Sequence, residues 1–251
     1  MIAAGIGLIA MAFGGVVAGG LTREVRDTQR LMRGVVATVT AAAVGGLFFA
    51  MGFTDILLVA TLATIPLIAG EVLRRWIADT SFRAWAGLIV EFECLMVLGI
   101  SSATIGVDGE WLRSLLLSLP YGGLEGMSAG TVVLVLGVTL WLGPVGNAVV
   151  RMVLAGAGAD TGISEKRLRG GRVIGILERW LIFGFVVSGH PTAAAFIVSA
   201  KSILRFPELS ERARGDIADG NRDELDSITE YLLLGSLASW TVAVLPVVFF
   251  R

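Results

Sequence analysis

The sequence predicts an all-α fold: a polytopic transmembrane helix bundle of about eight spans, with both termini outside. Three observations predict it. Hydrophobic residues make up 55% of the chain and charged residues 16%, with a mean hydropathy of +0.81; a soluble domain carries about 25% charged residues. Apolar stretches near the ~20 residues that cross a bilayer recur from end to end. The basic residues are gathered into alternate loops.

The spans are expected at residues 1–20, 34–52, 56–69, 84–105, 127–150, 173–189, 192–204 and 228–250. The first has no basic residues before its apolar run. Arg23, Arg26, Arg30 and Arg33 follow it instead, so it is expected to be a retained span and not a signal peptide. Loops 21–33, 70–83, 151–172 and 205–227 hold sixteen of the twenty Lys and Arg residues. Asp55, Asp108, Glu110 and Glu125 collect in the opposite loops. By the positive-inside rule the basic loops are cytoplasmic. Arginine far exceeds lysine, and Ala, Gly and Val abound, a usage expected of a GC-rich bacterial genome. The expected location is a bacterial cytoplasmic membrane, crossed several times.

Local signals refine the picture. Trp111–Leu119 places Trp111, Leu112, Leu115, Leu116 and Leu119 on one helical face, which predicts a short interfacial helix on the outer surface. Gly143-Pro144 predicts a kink in the fifth span, because proline removes a backbone donor, and Asn147 follows one turn later. Spans six and seven are short and joined through Gly189-His190-Pro191, either as a full hairpin or as a re-entrant one. Gly15 with Gly19, and Gly126 with Gly130, have the spacing that lets membrane helices approach closely. Loop 156–172 separates a five-span bundle (1–155) from a three-span module (173–251).

The functional signal is the set of ionisable side chains at membrane depth. Such groups are costly there, roughly 2.5–3.5 kcal/mol each on insertion scales, so they have partners or a role. Glu91 and Glu93 lie about 12 and 15 Å beyond Arg83 by helix rise. Two positions apart on a helix is roughly 200° of rotation, so they face opposite ways and cannot form a dyad. At least one is expected to face the interior, where burial disfavours the charged form of an unpaired carboxyl. Glu178 and Lys201 fall in similar layers of adjacent antiparallel spans, so a contact between them is expected; Lys201 snorkelling to the interface is the alternative. Arg179 is rotated about 100° from Glu178 and needs another partner, Glu230 or a lipid phosphate. Asp226-Ser227 followed by Glu230 reads as a capping box, with capping the simpler role for Glu230. Glu71 and Arg75 have the spacing of a surface pair.

The rest excludes. One cysteine, Cys94, and one histidine, His190, leave no disulfide framework and no thiolate or histidine metal site. No cofactor or metal is expected, and no phosphate loop, zinc-protease helix or nucleophile elbow occurs. An enzyme is therefore disfavoured, and nothing points to nucleic acid. The expected partners are the bilayer, anionic lipids at the basic loops, and a protein partner or second copy.

One resemblance adds to this. Gly-Arg-Val-Ile-Gly-Ile-Leu-Glu-Arg (171–179), Ser-Ala-Lys-Ser-Ile-Leu-Arg-Phe (199–206), Thr-Glu-Tyr (229–231) and Gly-Ser-Leu-Ala-Ser (235–239) are in series. This stretch resembles the C-terminal part of an uncharacterised bacterial membrane family, domain of unknown function 3307. The family's His-x-x-x-Asp signatures are absent before His190. The resemblance implies a bacterial polytopic membrane protein and marks Glu178, Arg179, Lys201, Arg205 and Glu230 as its signature; it implies no activity.

Two functions from different classes fit. One is a transporter or permease-like protein, with Glu91 and Glu93 sensing a proton or cation and Glu178, Arg179 and Lys201 forming an anionic-ligand site or gate. The other is a structural or partner-binding subunit whose buried charges fix helix packing.

Overall fold

The computed structural model describes residues 1–19, 27–105, 109–118, 128–158, 171–201, 203 and 222–250. Apart from short connections these residues are helical, with no strand among them. The helices are α1 (Ile2–Gly19), α2 (Asp27–Phe48), α3 (Phe53–Trp76), α4 (Thr80–Thr104), α5 (Glu110–Ser118), α6 (Ala129–Leu142), α7 (Pro144–Gly156), α8 (Gly171–Val187), α9 (191–201) and α10 (Arg222–Val244). A 3-10 segment, Leu245–Phe250, follows.

Among the described residues three helices are long and apolar enough to cross a membrane: Gln29–Phe48, Phe53–Leu73 and Thr80–Ser101. The pair Ala129–Leu142 and Pro144–Gly156 makes a fourth if taken as one broken span. The eight expected crossings are not supported. Within the described residues the apolar parts of the outer helices are Ile2–Val17 and Leu233–Val247, and the 17-residue α8 carries Glu178 and Arg179. Less than a third of each of the three long spans is buried within the chain. Large apolar side chains such as Val36, Leu47, Leu58, Ile65, Ile89 and Ile100 face outward, which is compatible with helices of a membrane protein.

The chain divides into two units. Unit 1, Met1–Ala78 with Ala86–Val145, is built around α1, which packs against α2, α3 and α6. Ile2, Ala3, Ile6, Leu8, Ala10 and Met11 are all buried, so the first helix is the centre of the unit. Its close contacts use glycine. A Cβ on Gly5 would sit 2.6 Å from the Val133 carbonyl, and one on Gly137 2.5 Å from the Gly5 oxygen. At the α1–α2 crossing a Cβ on Gly14 would meet the Thr38 hydroxyl at 1.9 Å. Small residues admit this approach where membrane helices pack. Gly15 is in ordinary contact, its Cβ position 3.5 Å from Val145; the surroundings of Gly19 lie outside the described residues.

Helix ends are where the sequence is most explicit. Asp79 caps α4, its Oδ1 accepting from the amides of Ser81 and Phe82. Ser128 caps α6 by accepting from the Thr131 amide. The expected break at Gly143-Pro144 is present: α6 ends at Leu142 and Pro144 opens α7, the first-turn position where its missing N–H costs nothing. The helix expected at Trp111–Leu119 forms as α5; Leu119 lies outside the described residues.

Unit 2, Asp79–Trp85 with Gly146–Arg251, contains a helical hairpin. At its turn Gly189 has φ +80, the Gly189 amide donates to Val186 O and the His190 amide to Phe185 O. This is a Schellman cap. His190 O then accepts from Ala193, starting α9 directly after Pro191. Ile182, Ala194 and Ala243 form the core of α8, α9 and α10. The capping box expected at Ser227 is not the start of its helix. The helix begins at Arg222, because helix formers such as Glu224 and Leu225 carry it upstream and leave Ser227 inside. In the same unit the Trp85 indole donates to Gly156 O at 3.2 Å, tying the segment 79–85 to the end of α7.

Candidate functional site

Within unit 1 the site is one carboxyl. Glu91 is eleven residues from Thr80 and ten from Ser101, the ends of its candidate span, so it lies about 15 Å from either end by helix rise. It is 7% exposed. Trp141 Nε1, on the last turn of α6, donates to Glu91 Oε1 at 3.2 Å. Among the described residues no basic side chain pairs with Glu91. The carboxyl is thus buried at mid-helix with a neutral indole for a partner, two residues before the break at Gly143.

Glu93 is different. The rotation between the two carboxyls is as expected, and it carries Glu93 to the exposed side of α4 beside Phe92 and Val97. Of the two, Glu91 faces inward and Glu93 outward, so the carboxyls do not meet, as their rotation predicts. Cys94, next along the helix, is a buried free thiol.

Unit 2 holds the second polar cluster. Glu178 and Arg179, on α8, are 6% and 2% exposed. Lys201 Nζ, on α9, donates to Glu178 Oε2 as an ion pair, the contact expected from the layering of the two helices. Trp240 Nε1 on α10 approaches the other oxygen at 3.5 Å. Arg179 Nη1 donates to Ser239 Oγ at 3.2 Å, and Nη2 to Asn147 Oδ1 at 2.5 Å. Gly146 leaves room for the guanidinium, since a Cβ there would lie 3.3 Å from Arg179 Nε. One helix therefore sends two adjacent charged residues in different directions, each met by polar groups from its neighbours. Buried polar groups are tolerated on that condition.

Arg205 and loops 159–170 and 204–221 lie outside the described residues, with the lipid contacts expected there; so does the Glu230 side chain. The surface pair Glu71–Arg75 is formed at 2.7 Å. No three His, Cys, Asp or Glu side chains come together in a metal-holding group among the described residues.

Trp141, Ser239 and Trp240 are the members that the residue pattern did not announce. Each lies in an apolar run, where an aromatic or a serine reads as packing. The available signal was position: Trp141 sits just before Gly143-Pro144, and Ser239 closes the Gly-Ser-Leu-Ala-Ser block. The fold and site define a helical bundle of apolar helices with buried charge, compatible with a membrane protein. Comparison with protein-family models, with curated proteins and with solved structures gives no match.

Proposed function

We propose that this chain is a permease-like protein of a bacterial cytoplasmic membrane, with Glu91 as the carboxyl that binds and releases a proton or small cation. The observation that carries this is Glu91 itself: buried at mid-span, hydrogen-bonded by a neutral indole, and beside a broken helix. Transporters place their ion and substrate sites near the bilayer midplane, at discontinuous helices. An intramembrane carboxyl that no described basic side chain pairs is suited to exchanging a cation. The segregation of arginine into alternate loops supports a cytoplasmic face for those loops and an outward position for both termini. Glu93 has no part in this site.

The test is flux. Purified protein in proteoliposomes carries protons or a monovalent cation down an imposed gradient, read with an entrapped pH or cation dye. Glu91→Gln abolishes that flux and leaves the size-exclusion profile of the protein unchanged. Equal flux through Glu91→Gln overturns the proposal.

A second reading, a structural or partner-binding subunit, is favoured by unit 2. Glu178, Arg179 and Lys201 have partners within the unit, which suits charges that fix helix register. Of the blocks that resemble domain of unknown function 3307, 171–179 falls on α8, residues 199–201 of the second on α9, and 229–231 and 235–239 on α10, and we infer that they mark a module shared with that family. On this reading Glu178→Gln lowers the yield of folded protein and does not alter flux per folded molecule.

A further inference from the structure

Helix α5 has nine residues, too few to be stable alone in water, so its surroundings hold it. Leu116 is buried and Leu112 half-buried, one turn apart, and they fix the side that rests on the protein. Trp111 stacks edge-on against Phe48, with ring centroids 4.6 Å apart, and lies 5.4 Å from Phe49. Phe48 is the last residue of the candidate span Gln29–Phe48. At the start of α5, a Cβ on Gly109 would lie 2.8 Å from Ala129, the first residue of α6. The helix is therefore held at the level where α2 ends and α6 begins.

A helical wheel over α5 divides its exposed surface. Trp111 and Leu115, four residues apart, flank the buried Leu112–Leu116 stripe and are 40% and 49% exposed. Glu110, Arg113, Ser114 and Ser118 fall on the other side, with Leu117 as the one large apolar residue among them. Half of the apolar arc is thus spent on the protein, and the other half is uncovered. Phe53, the first residue of α3, is exposed at 75%. Like Phe48 it stands at a span end, and Trp111 beside Phe48 is an amphipathic aromatic of the kind found where bilayer meets water.

We infer that α5 is an interfacial lipid-binding helix: it lies in the headgroup layer and sets Trp111 and Leu115 against phospholipid acyl chains, with Ser114 and Ser118 facing water. The level of the helix at a span end, the aromatic contact to that span and the split of its surface identify phospholipid as the occupant. An in-plane helix with an apolar side and a polar side binds the boundary between headgroup and acyl chain. The inference rests on the membrane reading above, but not on the role of Glu91.

Spin labels test it in the full chain reconstituted in phosphatidylcholine–phosphatidylglycerol vesicles. Single substitutions Leu115→Cys, Ser114→Cys and Val36→Cys are labelled, and the buried Cys94 stays out of reach of the reagent. Collision with oxygen, which partitions into lipid, is compared with collision with a water-soluble nickel chelate. A label at position 36, on the exposed side of a long span, is oxygen-accessible and nickel-excluded if the chain is in the bilayer at all. Given that, position 115 shows an oxygen-to-nickel ratio several-fold above that of position 114. Equal nickel access at 114 and 115 places α5 in water and overturns the inference. A label at 115 shielded from both reagents means protein covers the face, which also overturns it. Nickel access at position 36 is the failure of the membrane reading itself.

Discussion

Trp141 donates its indole N–H to the Glu91 carboxyl across 3.2 Å, from the last turn of a helix that breaks two residues later. Two substitutions separate what this contact does for the fold from what the carboxyl does for function. Trp141→Phe keeps a ring in the buried position but leaves Glu91 Oε1 without its donor, at a cost of about 1–3 kcal/mol. Glu91→Gln keeps an oxygen to accept from Trp141 and is expected to fall within about 1 kcal/mol of wild type. Thermal unfolding in detergent should rank them in that order, while flux should rank them in reverse: Glu91→Gln silent, Trp141→Phe reduced.

The Glu178–Lys201 pair predicts a coupled effect. Both side chains are largely buried, 7% and 17% exposed, and removing one partner leaves the other charge uncompensated. Lys201→Met alone is expected to cost about 3–5 kcal/mol. Combined with Glu178→Gln it should cost less than the sum of the two singles, since the charge that Lys201→Met strands is then gone. The measurement is a double-mutant cycle on unfolding free energy in detergent. Strict additivity would mean that the pair contributes nothing beyond its separate members.

The sequence carried the class of fold and the ion pair, and it did so through different physics. Apolar length gives the helices and their compatibility with a membrane directly, because it is set by transfer free energy residue by residue. The Glu178–Lys201 contact was legible because a short turn forces two adjacent helices into register. Glu93 was not separable from Glu91, since a 200° rotation says that they part without saying which one faces inward. The partners of Arg179 were out of reach for a related reason. Asn147 and Ser239 lie 32 and 60 residues away, and no local periodicity encodes which distant helix packs on α8. Of the eight expected crossings, the described residues support three, or four with the broken pair α6–α7 counted as one span.

The helix crossing of unit 1 predicts which glycines are structural. Gly5→Ala and Gly137→Ala each drive a methyl into backbone of the facing helix, where no side chain can rotate away. Each should lose at least the 1–3 kcal/mol or so of ordinary overpacking. Gly15→Ala adds its methyl at ordinary contact distance and should be neutral or gain up to about 1 kcal/mol from helix propensity. Unfolding midpoints of the three variants in detergent check this, and similar losses at Gly5 and Gly15 would count against the assigned crossing.

Ala50 offers a gain. Helix α2 ends in the same motif as α8, with the Met51 amide donating to Gly46 O and the Ala50 amide to Leu47 O. Here the left-handed position is held by alanine at φ 52, where the hairpin turn has Gly189 at φ +80. A Cβ in that conformation crowds the backbone, at roughly 1–2 kcal/mol, and Ala50 is exposed, so its methyl returns little packing. Ala50→Gly should therefore stabilise the protein by about 0.5–1 kcal/mol, the greater freedom of glycine in the unfolded chain offsetting part of the relief. Gly189→Ala makes the reverse exchange at an open position, with nothing within 4 Å of the new methyl. It should lose about as much as Ala50→Gly gains. Opposite shifts of the unfolding midpoint in the two variants would isolate the backbone term, because neither substitution changes a packed contact; a loss at Ala50→Gly would show that the alanine methyl is in contact with something the helix end needs.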